Sequence, residues 1–191
     1  MDRKLKEKIK KAAKGDLDAF QYICKRYEKK VFTFVYHLLG SHEAAEEVTQ
    51  DTFLSVYWNL KNLKNIEKFE PWLFKIARNY VYQYSRKDYS KKEDFFEDGN
   101  GAKNGDVDMD YTPEEHLIKG EIGDEIKKAI NSLDLKYREV FTLAVVEGYS
   151  YKEIAEMLGR SIQSVKTDIH RARVKLRKSL EKYLNEGKDE V

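Results

Sequence analysis

Apolar residues recur at spacings of three and four along most of this chain. Phe20, Ile23, Tyr27, Val31, Phe34 and Leu38 do so in one segment, Ile118, Ile122, Ile126 and Ile130 in a second, and Ile162, Val165, Ile169, Ala172 and Leu176 in a third. That period puts each set on one stripe of an α-helix, and no stretch alternates in the manner of a half-buried strand. The expected fold class is therefore all-α. Charged residues make up 37% of the chain and there are two prolines, a composition that suits helices in water. No apolar run approaches the ~18 residues of a membrane span, so no membrane insertion is expected. The opening MDRKLKEKIKKAAKGD is basic with no apolar segment after it, so it does not read as a secretory signal. Cys24 is the only cysteine. An internal disulfide is excluded, a reducing cytoplasmic setting is expected, and a buried structural thiol is the simplest role for Cys24.

Punctuation divides the chain. Gly15-Asp16 stops one segment and caps the helix through Leu38, which Gly40 ends. Ser41 can cap the next helix, with Glu43, Glu46 and Glu47 near its positive end. Pro71 stands where a first helical residue belongs. Residues 88–112 lose the periodicity, carry three glycines and read as a flexible acidic linker. Thr112-Pro113-Glu114-Glu115 then restarts a helix with a capping box. LKYREVFTLAVVEG reads as a helix to Gly148, with Asp134 as its cap. Ser150 and Glu153 form a box for YKEIAEML, and Ser161 caps the last helix. The organisation is two small helical domains, 1–87 (an N-terminal bundle) and 113–186 (C-terminal), joined by the linker, with a short tail over 187–191.

The net charge of +2 hides segregation. Residues 1–15 hold seven bases against two acids, residues 88–115 ten acids against three bases, and residues 160–178 seven bases against one acid. Basic blocks on a near-neutral chain point to nucleic acid, or else to solvated helix faces. The helix, the turn Gly159-Arg160-Ser161 and the second helix are the elements of a helix-turn-helix. On the second helix, Gln163, Thr167, His170 and Arg171 lie opposite the apolar seam, and Lys166, Arg173 and Arg177 line one flank. A recognition helix needs this layout, with one face packed, one reaching base edges and cations on phosphates. Arg171 suits a bidentate contact to guanine. Arg173 and Arg177 suit phosphate, which carries no sequence information.

PWLFKIARNYVYQYSRK, residues 71–87, holds four bases and no acid, yet its aromatics spill beyond one helical face. Leu73, Ile76, Ala77, Tyr80, Val81 and Tyr84 form a core stripe. Lys75, Arg78, Asn79, Tyr82 and Arg86 take the other side, and Trp72 sits at the stripe's edge. Cations beside an exposed ring suit a single strand, whose bases stack on the ring while the cations follow the backbone. Asn79 offers a donor and an acceptor to an extruded base. The alternative for Tyr82 is a ring packed under the next domain. Opening about five base-pair steps costs roughly 7 kcal/mol, and stacking returns about 1–3 kcal/mol per captured base. One helix does not suffice, so a partner must supply contacts. The acidic segment HEAAEEVTQDTFLSVYWNL offers a surface, with Gln50, Asp51, Leu54 and Tyr57 outside its core side (Val48, Phe53, Val56, Leu60). A merely solvated acidic face is the alternative.

These segments together strongly resemble the extracytoplasmic-function sigma factors of bacteria. The resemblance covers nearly the whole chain and rests on EEVTQDTFLSVYWNL, PWLFKIARN and LKYREVFTLAVVEGYSYKEIAEMLGRSIQSVKTDIHRAR, in that order. It implies a subunit that binds core RNA polymerase and directs it to promoters, with no catalytic activity, cofactor, metal or small-molecule substrate. The EEVTQDTF segment, including Glu47, would bind the polymerase. The PWLFKIARN helix and the loop before it would capture the opened minus-ten strand, with Asn79 in the flipped-base pocket. The helix-turn-helix would read the minus-thirty-five duplex through Lys166, Thr167, His170 and Arg171, with Gln163 and Ser164 in the same first turns. An anti-sigma factor is the expected regulatory partner.

Asp168 stands where the family often has a base, so it either repels phosphate or pairs with a neighbouring cation. The loop NLKNIEKFE lacks the family's common glycine-containing pattern, and no base preference carries across it. The linker, about 25 residues, extends to roughly 80 Å, enough for promoter elements roughly 70 Å apart. Its acidity also suggests a strand mimic in a basic polymerase channel. Three other readings are open: a stand-alone DNA-binding regulator, an enzyme and a helical scaffold. The first leaves the aromatic basic helix without a role. The enzyme lacks metal-ligand spacing among His37, His42, His116 and His170, and the scaffold leaves the basic recognition face unexplained.

Overall fold

The computed structural model describes residues 1–95 and 121–181. Within them lie eight α-helices and no strand: α1 (Arg3–Ala12), α2 (Leu17–Leu39), α3 (His42–Asn59), α4 (Phe69–Phe95), α5 (Glu121–Asn131), α6 (Leu135–Phe141), α7 (Tyr151–Leu158) and α8 (Ile162–Ser179). The all-α expectation holds.

Side chains set most of the boundaries. The Asp2 carboxylate accepts from the Leu5 N–H at 2.7 Å and opens α1, which buries Leu5, Ile9 and Ala12. Asp16 does the same for α2 through the Ala19 N–H at 2.8 Å. Ser41 starts α3 by accepting from the Ala44 N–H at 3.3 Å. Ser150 and Glu153 make the reciprocal capping box of α7. Each satisfies a donor that the first helical turn leaves unpaired.

Four expectations change. First, α4 begins at Phe69, so Pro71 is its third residue rather than its first. A 3₁₀ turn, Ile66–Lys68, feeds directly into the helix, and buried Phe69 anchors it edge-on against Tyr27 at 5.5 Å. The missing N–H of Pro71 falls among those that would be unpaired anyway. Second, the backbone of α4 stays helical through Phe95, past the expected boundary at Lys87. The rest of the expected linker, the cap at Thr112–Glu115 and the tail 187–191 lie outside the described residues. Third, Asp134 occupies the N-cap of α6 but makes no side-chain cap bond; its carboxylate accepts instead from Lys175 at 2.5 Å. Fourth, the helix expected to reach Gly148 is α-helical only to Phe141. A π-helical turn, Thr142–Val146, follows, and the Glu147 N–H donates to the Thr142 carbonyl at 3.1 Å.

The core does not stop between the expected halves. One cluster runs from Leu5, Ile23 and Phe34 through Leu73 and Phe74 to Val140, Leu143 and Ile154, and on to Val165 and Ile169. A smaller cluster joins Ala129 and Leu133 of the α5 end to Ala172 and Leu176 of α8. Helix α4 packs on α2 and α3 on one side and on α7 on the other. Cys24 is half-buried, and burial pushes its thiol up to about 11, which fits an inert structural role.

Gly40 closes α2 in the left-handed conformation, at φ 71°. A Cβ there would meet only the Asn131 side chain, at an ordinary 3.6 Å. The cost of Gly40→Ala is therefore backbone strain alone, about 1–2 kcal/mol. Urea unfolding should report that loss with an unchanged denaturant slope.

Candidate nucleic-acid interface

The helix-turn-helix is built as its sequence implies. Gly159, at φ 62°, ends α7 and lets the Arg160 N–H reach the Ala155 carbonyl at 2.9 Å. Ser161 then caps α8 through the Ser164 N–H at 3.1 Å. Val165, Ile169, Ala172 and Leu176 are buried. Ile162, expected in the same seam, is 44% exposed because it precedes the packed part of the stripe. Gln163, Lys166, His170, Arg171, Arg173 and Arg177 are exposed. Ser164 and Thr167 are half-buried, and the Thr167 hydroxyl donates to the Gln163 carbonyl at 2.9 Å.

Asp168 resolves in favour of pairing. It is only 2% exposed, and its carboxylate meets Arg160 and Lys136, each at 3.2 Å. It faces α6 and the turn, away from the exposed face of α8, and holds the turn residue Arg160 in place.

Helix α4 answers its aromatic excess differently from a free strand-binding face. Leu73, Ala77 and Val81 are buried and Ile76, Tyr80 and Tyr84 half-buried, as the core stripe requires. A second stripe, Phe74, Arg78 and Tyr82 at spacings of four, is covered by the C-terminal half. Phe74 is buried between Phe34 and Tyr149, edge-on to both at 5.3 and 5.6 Å. The Arg78 guanidinium lies over the Tyr82 ring at 4.7 Å and ion-pairs with Glu139 of α6. The Tyr82 hydroxyl donates to the other Glu139 oxygen at 2.9 Å. Thus the expected exposure of Arg78 and Tyr82 is corrected. The ring is packed under the next domain because a buried carboxylate there needs donors. Trp72 is half-buried, tilted against Phe69 at 6.1 Å, while Lys75, Asn79 and Arg86 face solvent.

Glu139 itself is fully buried, and Arg160 reaches it from the turn at 3.4 Å. Burial raises its carboxyl above the ordinary range, with Arg78 and Arg160 pulling the other way. Burial likewise raises the Tyr82 phenol, and the Glu139 charge adds to it. Sequence periodicity placed no role on Glu139, since it reads as one more acid in LKYREVF.

On α3, Glu47, Gln50 and Leu54 are exposed, and Asp51 is half-buried. Tyr57 belongs to the packing rather than the open face, edge-on to Phe20 at 5.0 Å. In its place stands Trp58, 69% exposed and four residues after Leu54, itself 59% exposed. The i, i+4 spacing to Leu54 was the available signal for it. No helix among the described residues is long and apolar enough to cross a membrane.

The family model "Sigma-70 region 2" matches residues 23–90, and "Sigma-70, region 4" matches residues 123–176. The ECF RNA polymerase sigma factor SigW of Bacillus subtilis is 34% identical over 187 residues, covering 94% of this chain and 98% of that protein. The RNA polymerase sigma-H factor of Pseudomonas aeruginosa is 27% identical over 195 residues and 97% of each chain. Among solved structures, the sigma factor RpoE in complex with the anti-sigma factor NepR from Bartonella quintana superimposes with a TM-score of 0.69 at 25% identity, over 85% of this chain and 96% of that one. CnrH in complex with the cytosolic domain of CnrY shares the fold, with a TM-score of 0.66 at 23% identity over 93% and 97%.

Removing Asp168 leaves Arg160 without one of its buried partners. Asp168→Ala should cost about 3 kcal/mol in denaturant unfolding, with no gain in affinity for duplex DNA at low salt. A gain would mean that the carboxylate repels phosphate.

Proposed function

The chain belongs to the ECF RNA polymerase sigma factors, and we propose how its parts divide the work of that family. As a sigma factor it binds core RNA polymerase and directs promoter-specific transcription initiation, a role in which the family acts as an initiation factor rather than an enzyme.

In our reading, residues 1–87 bind the polymerase and the minus-ten element, 88–112 tether, and 113–186 read the minus-thirty-five element. On α8, Gln163, Ser164, Lys166, Thr167, His170 and Arg171 meet base edges and nearby backbone in the major groove, and Arg173 and Arg177 meet phosphates. On α4, Asn79 holds an extruded base of the opened strand. Lys75, Arg78 and Arg86 follow its backbone, and Trp72 and Tyr82 supply rings. The open face of α3, with Glu47, Gln50, Asp51, Leu54 and, from its exposure, Trp58, docks on the polymerase. Tyr57 supports that face from below. An anti-sigma factor is the regulatory partner, a reading supported by the solved relative RpoE, whose structure is a complex with the anti-sigma factor NepR.

The observation that carries this reading is the exposed basic face of α8 opposite its buried seam. Core polymerase mixed with the chain and assayed on genomic fragments tests it, since absence of both binding and initiation would remove it. Arg171→Ala should relax preference at the upstream element, losing about 1–3 kcal/mol of discrimination. Arg177→Ala should instead weaken all sequences evenly and lower the salt slope by about one. Footprints across single-base promoter variants separate the two. Asn79→Ala should impair strand opening, read by permanganate reactivity, more than closed-complex binding.

A further inference from the structure

The seam between the halves covers part of the surface assigned to the promoter strand. Two points of polar contact flank the Phe74–Tyr149 ring pair. At one, Arg78 and Tyr82 of α4 close on Glu139. At the other, the Tyr149 hydroxyl donates to Glu70 of α4, which Tyr27 also reaches at 3.4 Å. Further along, an Arg138 Nη donates to the Leu38 carbonyl at 2.8 Å, which ties α6 to the end of α2. The seam is continuous and apolar between these points.

This arrangement is incompatible with promoter binding. Elements about two duplex turns apart are separated by roughly 70 Å, whereas here α4 and α6 share one carboxylate. The halves must therefore part before both elements are read. The group that leaves α4 on opening is an anion seated against a stacked cation–ring pair, the contact that a strand's phosphate and base would make.

We propose that Glu139 is an internal occupant of the strand-capturing face: it holds the free chain closed and competes with the single-stranded minus-ten element for Arg78 and Tyr82. This rests on the proposed role of α4 in strand capture. Closure masks these two residues while Asn79, Lys75 and the basic face of α8 stay accessible. The free chain can thus meet duplex phosphate but holds opened DNA poorly, and polymerase binding, by parting the halves, releases the face where melting occurs.

The test uses the full chain with Glu139→Gln and, separately, Tyr149→Ala, which removes the ring packed on Phe74 and the hydroxyl that donates to Glu70 without altering Arg78, Tyr82 or Glu139. X-ray scattering and binding of a fluorescent single-stranded oligonucleotide are measured for each, with circular dichroism confirming folded helices. Wild type should be compact, with a radius of gyration near the ~16 Å of one unit of this length, and both variants larger by about 5 Å or more. Oligonucleotide affinity should rise about tenfold. Should Glu139→Gln fail to fold, Tyr149→Ala carries the same two readouts. Unchanged dimensions in the folded variants, or expansion without a gain in affinity, would overturn the proposal. Failure of the strand-capturing reading itself would show separately, as an Asn79→Ala holoenzyme that opens promoters normally.

Discussion

A single desolvated carboxylate, Glu139, sets how the halves of this chain sit together. It receives Arg78 and Tyr82 from α4 and Arg160 from the helix-turn-helix turn, and Arg160 passes the chain of charges on to Asp168 and Lys136. Such a cluster adds little net stability, because removing the charges from water costs about what their attraction returns. Its effect is on geometry: taking away one member leaves the others buried without partners, at about 3–5 kcal/mol. Net favourable free energy at the seam comes instead from apolar area, chiefly the Phe74 ring against Phe34 and Tyr149, about 1.5–3 kcal/mol for such a side chain. Registry is fixed by charge, and closure needs the apolar contact together with an intact Glu139, so the seam is specific and still weak enough for a partner to open.

That balance links the fold to initiation. Duplex opening is too costly for the bases that one helix can capture, and a further cost of parting the halves falls on the same event. Both are met only when contacts with polymerase are added, which we assign to the exposed Leu54 and Trp58 of α3. With Glu139 on the strand-capturing face, as we propose, the free chain is kept from holding single strands alone. The recognition helix needs no such restraint. Its cations stay exposed, and duplex binding without strand capture does not initiate a transcript.

What the sequence displayed was local. Caps and stops at Asp16, Gly40, Ser41, Ser150 and Ser161 are short-range chemistry, and the buried seam of α8 follows from period alone. The aromatic surplus of α4 was visible too, and a ring under the next domain was one of its two explanations. What decided between them was long-range: Glu139 lies 57 residues from Tyr82, and periodicity does not say which acid will be the one buried. Asp168 is a parallel case, ambiguous by position and settled by Arg160 and Lys136. Phe69 and the preceding 3₁₀ turn displaced Pro71 from the helix start because packing of that ring outweighed a positional preference.

Coupling of strand capture to polymerase binding requires that the free chain be closed over its strand-capturing face. The direct measurement is single-molecule energy transfer between dyes at Glu28 and Lys178, exposed positions in opposite halves, with Cys24 replaced. One high-transfer population is predicted for the chain alone, giving way to low transfer when core polymerase and promoter DNA are added. Low transfer in the free chain, unchanged by polymerase, would contradict it.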